Sequence, residues 1–63
     1  MNEYTDLDKL TEIEREIRMR QKVYPGLIAK NTITQKMAKK QIAIMEAIAE
    51  DYRKSVVKME LPI

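Results

Sequence analysis

The sequence predicts an all-α fold: an antiparallel two-helix hairpin, with a short extra turn at residues 25–30, that dimerises into a four-helix bundle. Three observations carry this prediction. Apolar residues recur at helical spacing in two long stretches. Turn chemistry separates them, in Tyr24-Pro25-Gly26 and in Asn31 to Thr34. The second apolar stripe is wider than the first can cover. A chain of 63 residues is a single domain.

The first helix is expected over about residues 6–23. Thr5 is its N-cap, and Asp8 three residues later closes a capping box. Leu7, Leu10, Ile13, Ile17 and Tyr24 follow at helical spacing. On a wheel of 100° per residue, Leu10, Ile13, Ile17 and Tyr24 lie within about 60° of one another. Pro25 pushes the preceding residue out of the helical region and Gly26 frees the backbone, so Tyr24-Pro25-Gly26 ends the helix. Proline is tolerated as the first residue of a helical turn, which allows a short one from Pro25 to Lys30. Asn31 then serves as a left-handed stop.

The second helix is expected over about residues 35–56. Two capping frames compete. Thr34 can cap it, with Ile33 packing back on Ala38 as a hydrophobic staple; alternatively Thr32 caps it with Gln35 closing the box. The apolar set is Met37, Ala38, Ile42, Ile44, Met45, Ile48, Ala49, Tyr52 and Val56. Pro62 discourages helix near the end, so the tail 59–63 is expected to fray.

The two stripes are unequal. That of the second helix, from Ile44 through Met37, Ile48, Tyr52, Met45 and Ala49 to Ile42, covers about 160°. A lone two-helix layer of this length buries too little apolar surface to offset the ordering of its chain. With no Cys and no His, neither a disulfide nor an ordinary zinc site is available as a staple. The expectation is a homodimer centred on the second helix, with Ile42, Met45, Ile48, Ala49 and Tyr52 as interface and core. Leu10, Ile13, Ile17 and Tyr24 complete that core from the first helix. Ile48→Asp is expected to abolish folding and dimerisation together by burying an unpaired charge. The alternative is a marginal monomer that folds only on a foreign partner.

The net charge of +2 conceals segregation. Residues 1–16 carry six acids and two bases, a net −4. Residues 17–45 carry Arg18, Arg20, Lys22, Lys30, Lys36, Lys39 and Lys40 and no acid, a net +7. Residues 46–63 carry four acids and three bases, a net −1. In a hairpin the basic segment is the turn end. Part of this is ordinary helix chemistry. Acids begin helix one and bases end it, and Glu14–Arg18, Glu16–Arg20 and Glu50–Lys54 are favourable pairs four apart. Lys36, Lys39 and Lys40 are different: they begin helix two, where positive charge opposes the dipole, with no acidic neighbour in sequence. An acidic surface or a bound anion would relieve them.

The expected partner surface is therefore Arg18, Arg20, Lys22, Lys36, Lys39 and Lys40, joined by Met19 and Val23. Met19 and Val23 lie four apart, roughly opposite the core stripe of helix one, flanked by Arg15, Arg20 and Lys22. Scattered surface apolar residues are the bland alternative. A protein partner is the first reading and nucleic acid the second. The sequence lacks the aromatic interleaving that stacks bases and shows no helix-turn-helix signature.

Catalysis is not expected. There is no thiol or imidazole, Ser55 has no base to activate it, and one glycine cannot form a phosphate-cradling loop. Asp8/Glu12, Glu12/Glu16 and Glu46/Glu50 stand at helical spacing, but di-metal bundles need Glu-x-x-His pairs, and these acids lie off the apolar stripes. No cofactor, metal or small-molecule substrate is expected. The acidic, polar beginning is unlike a signal peptide, and no run approaches a membrane span, so a cytoplasmic chain with no membrane partner is expected.

Arg20-Gln21-Lys22-Val23-Tyr24-Pro25, then Ile33-Thr34, then Ile42-Ala43-Ile44-Met45-Glu46-Ala47-Ile48 and Asp51-Tyr52-Arg53 carry a resemblance. Over about residues 10–54 the chain resembles small coil-containing helical proteins of phages and prophages in enteric bacteria. Val23-Tyr24-Pro25 and Met45-Glu46-x-Ile48-x-x-Asp51-Tyr52-Arg53 are its most specific parts, and the tail after Lys54 has no counterpart. In length and general character the chain is also similar to small early proteins of lambdoid phages, encoded between the exonuclease and excisionase genes. The wider family supplies no activity and no catalytic residues to carry over. The narrower likeness implies a regulatory protein in the bacterial host's cytoplasm. It would act in host takeover or in the choice between lysis and lysogeny by contacting a host protein.

Overall fold

The computed structural model describes the backbone of residues 3–60 and the side chains of residues 3–58. Two helices, α1 (Asp6–Ala29) and α2 (Gln35–Glu60), fold back on each other as an all-α hairpin. Among the described residues there is no strand.

α1 begins as its sequence dictates. The Thr5 hydroxyl accepts from the Asp8 amide at 3.0 Å, and the Thr5 amide donates to the Asp8 carboxylate at 3.1 Å. This reciprocal box satisfies two of the orphan donors at the helix start.

The end of α1 differs from the expected break at Tyr24. Pro25 lies inside the helix, which runs on to Ala29. The separate turn at 25–30 is thus continuous with helix one. Proline removes one ladder hydrogen bond, but continuing the helix places half-buried Ile28 beside Ala38 and Ile42 of α2. Gly26 has no positive φ and so uses none of its special freedom. The real terminator is Asn31, at φ 60°. Its amide donates to the Ile28 carbonyl at 3.0 Å, and the Thr32 amide donates to the Leu27 carbonyl at 2.9 Å. These are the two bonds of a Schellman motif, with Asn31 in its left-handed position. The longer helix also changes the dipole argument. Arg18, Arg20 and Lys22 lie well before the end, and the last turn of α1 contains no basic residue.

For α2 the Thr34 frame is the one formed. The Thr34 hydroxyl accepts from the Met37 amide at 3.1 Å, and its carbonyl accepts from the Ala38 amide at 3.0 Å. Ile33 is half-buried and Ala38 buried beside this cap. α2 continues to Glu60, past the expected end at 56, so residues 59 and 60 of the expected tail are helical. The remainder of that tail, residues 61–63, lies outside the described residues.

The core is thin. Among the described residues Leu10, Ile17, Ala38 and Ala49 are the buried apolar side chains, and no polar side chain is buried. Ile13, Met45, Tyr52 and Val56 pack around Leu10, Ile17 and Ala49. Ala38 and Ala49 are three helical turns apart on one face of α2. The chain exposes 5363 Å². A compact monomer of 7.4 kDa would expose about 4,200 Å². The single two-helix layer accounts for much of that excess, because it has no second layer to cover its faces.

Candidate functional site

Two edges run along the seam between the helices. On one, the Arg53 guanidinium crosses to Glu14 at 3.0 Å and also holds Glu50 at 2.5 Å. The expected Glu14–Arg18 and Glu50–Lys54 pairs give way to this bridge, because one guanidinium presents donors to both carboxylates at once. The hydrogen bond to Glu14, then that to Glu50, raises Arg53 above its ordinary value against a small opposing desolvation. On the other edge the Tyr24 hydroxyl donates to Gln41 at 2.5 Å, and the Lys9 ammonium stands 5.8 Å from the centre of the Tyr52 ring. Glu16 and Arg20 form the expected pair on this side, and that hydrogen bond is the main reason Arg20 is raised from its ordinary value.

These contacts orient α2. Met45, Ala49 and Tyr52 pack in the hairpin's own interior, and half-buried Ile42 lines an open groove with Tyr24, Pro25 and Ile28 of α1. Ile48 does neither: it is 40% exposed. Met37 and Ile44 beside it are each 51% exposed. The three form one stripe on the Tyr24–Gln41 edge, within about 40° on the wheel. Ile48→Asp would therefore leave its charge in water within a single hairpin. In a dimer built on this stripe the same charge would be buried.

The expected basic surface divides. Lys22, Lys36, Lys39 and Lys40 are exposed, and among the described residues none of them enters an ion pair. Arg20 is neutralised by Glu16. Arg18 lies on the opposite edge, in a polar depression with Glu14, Gln21, Glu46 and Arg53. Met19 and Val23 are 47% and 51% exposed and line a shallow depression with Glu16, Arg20 and Tyr24. Met37 stands between exposed Lys36 and Lys40, so apolar and cationic groups meet at the start of α2.

Two further depressions are present. Tyr4, 65% exposed, lines one with Asp8, Lys9, Thr11 and Glu12. The other is an apolar groove at the loop end, lined by Tyr24, Pro25, Ile28, Ala38 and Ile42 among others. Sequence reasoning missed this groove, because it forms only when α1 continues through Pro25. The Ser55 hydroxyl, near the other end of the hairpin, bonds to the Asp6 carboxylate. Among the described residues no group of three or more carboxylates is placed to hold a metal ion, and no helix is long and apolar enough to cross a membrane.

No protein-family model matches this chain, and no curated protein and no solved structure does so either.

Proposed function

We propose that this chain is a small, non-enzymatic interaction protein of phage type, a homodimer that binds an acidic surface of a host protein in the bacterial cytoplasm. Its role would be regulatory, in host takeover or in the choice between lysis and lysogeny. One observation carries the reading: exposed Met37 stands beside exposed Lys36 and Lys40, which enter no ion pair among the described residues. Apolar area gives a docking protein its affinity, and the cations select an acidic partner and steer its approach. The residue inventory supports a non-enzymatic role, with no thiol, no imidazole and a single serine bonded to Asp6.

The test is affinity capture from nuclease-treated bacterial lysate, with the wild-type chain and a Lys36→Gln, Lys39→Gln, Lys40→Gln triple variant side by side. A defined protein held by the wild type and lost by the variant is the expected result. The triple variant should keep wild-type helicity, because among the described residues none of these lysines enters an ion pair. Nucleic acid recovered only without nuclease, and released at moderate salt, would replace this reading with nucleic-acid binding, since phosphate contacts weaken steeply with salt. Equal capture by both chains would remove the lysines from the surface.

A further inference from the structure

We infer that the groove at the loop end of the hairpin binds an acidic amphipathic helix of the partner protein, its apolar face seated between α1 and α2 and its carboxylates on the cations of both rims. This rests on the host-protein reading above and adds where the partner sits and what it presents. The floor is apolar: Tyr24, Pro25 and Ile28 of α1 line it opposite Ala38 and Ile42 of α2. The rims are cationic. On α2, Lys39 and Ala43 line the groove, and Lys36 and Lys40 fall with them within about 100° on the wheel. On α1, Arg18 and Lys22 fall with Pro25 within about 60°. Among the described residues none of these five cations enters an ion pair. Arg20, which Glu16 neutralises, lies on the other edge of the hairpin.

Charge complementarity selects an acidic occupant. Among the described residues no acid lines the groove, and the sequence carries none from residue 17 to residue 45. Glu14 and Glu46 come only beyond Gln21, in the adjoining depression with Arg18 and Arg53. The groove's shape selects a helix. It lies between two antiparallel helices and runs from Gln21 to Ile28, a rise of about 10 Å, which is two turns of a third helix. Over two turns, apolar residues three and four apart make one stripe for the floor, and acids beside that stripe reach either rim. Nucleic acid would satisfy the cations but not the floor. The floor offers aliphatic groups and one tyrosine already hydrogen-bonded to Gln41, not a platform for stacked bases.

The probe is a fluorescein-labelled helical peptide with leucines on one face and glutamates on its flanks, titrated with the full-length chain. A counterpart with lysines for glutamates and a single-stranded oligonucleotide run beside it. The glutamate peptide should bind and the lysine peptide should not. Chemical-shift changes should centre on Ile28, Ala38, Ile42 and Ala43 and spare Ile44 and Ile48. Lys39→Glu and Ala43→Glu should each weaken binding about tenfold. Lys58→Glu, the same charge change as Lys39→Glu but at the far end of α2, should leave it within about twofold. All three positions are exposed, so helicity should match the wild type. Shift changes centred on Ile44 and Ile48, equal losses from Lys39→Glu and Lys58→Glu, or failure of the glutamate peptide to bind would overturn the inference. An oligonucleotide that displaces the peptide would overturn it in favour of nucleic acid. A host protein captured from lysate equally by the wild type and Ala43→Glu would also overturn it, while leaving the host-protein reading standing.

Discussion

The Arg53 guanidinium bonds Glu14 across the helix seam at 3.0 Å and Glu50 within its own helix at 2.5 Å. One side chain of α2 thereby ties both helices to a common point in the half of the hairpin away from the connecting loop. This contact spans 39 residues of sequence. It competes with the local pairs that either carboxylate could otherwise form.

Arg53→Lys should lower the melting temperature, because an ammonium is a point charge that cannot present the guanidinium's planar fork to two carboxylates. The loss should be smaller than that from a core truncation such as Leu10→Ala, since the bridge is partly in water. The pH dependence has a definite sign. Arg53 is raised in the fold, so its contribution is complete below its unfolded value and fades only as pH rises through its folded one, beyond the ordinary arginine range. Thermal melts of wild type and Arg53→Lys between neutral pH and about pH 9, below the range in which the substituted lysine loses its proton, should therefore show a constant difference from this group. A difference that vanished in that window would mean the arginine is not what carries it.

Ala49 has no exposed surface and packs with Leu10 and Ile17. Ala49→Leu should cost about 1–3 kcal/mol by overpacking. Denaturant melts measure this directly. Unchanged stability would mean that the helices can separate to admit the extra volume.

Gly26→Ala should stabilise the hairpin by about 0.5–1 kcal/mol, because glycine inside a helix costs that much relative to alanine. A Cβ built at Gly26 meets nothing within 4 Å, and its φ is not positive. A loss of stability would instead indicate that Tyr24-Pro25-Gly26 turns the chain, as its composition first suggests.

Ile48→Asp should keep α-helical circular dichroism at high concentration and abolish association. Its melting should then lose the concentration dependence that a homodimer imposes. Sedimentation beside Leu10→Ala separates the effects. Leu10→Ala should weaken hairpin and dimer together, by about 2–5 kcal/mol for the buried leucine. Dimerisation by Ile48→Asp as strong as in the wild type would exclude the stripe as an interface.

The sequence by itself determined the features whose causes lie within a few residues. The Thr5–Asp8 capping box, the left-handed Asn31, the two amphipathic helices and the Glu16–Arg20 pair are all local chemistry, readable from spacing alone. Composition likewise removed thiol and imidazole chemistry before any fold was known. The basic turn end was legible as a charge count. What that count could not show is that Arg20 is neutralised and that Arg18 faces another edge. Tertiary structure decided the features in which two local preferences compete. Pro25-Gly26 is a turn signal, but a helix running through it sets Ile28 beside Ala38 and Ile42 of α2, and that packing prevailed over the lost hydrogen bond. Glu14 and Glu50 had partners nearby in sequence, but the arginine brought alongside by the hairpin binds both. The wide stripe of α2 was visible as a stripe; its division was not. Only the rotation of α2 against α1 assigns Met45, Ala49 and Tyr52 to the interior and leaves Met37, Ile44 and Ile48 outside, because a helix on one side can cover only part of so broad an apolar face.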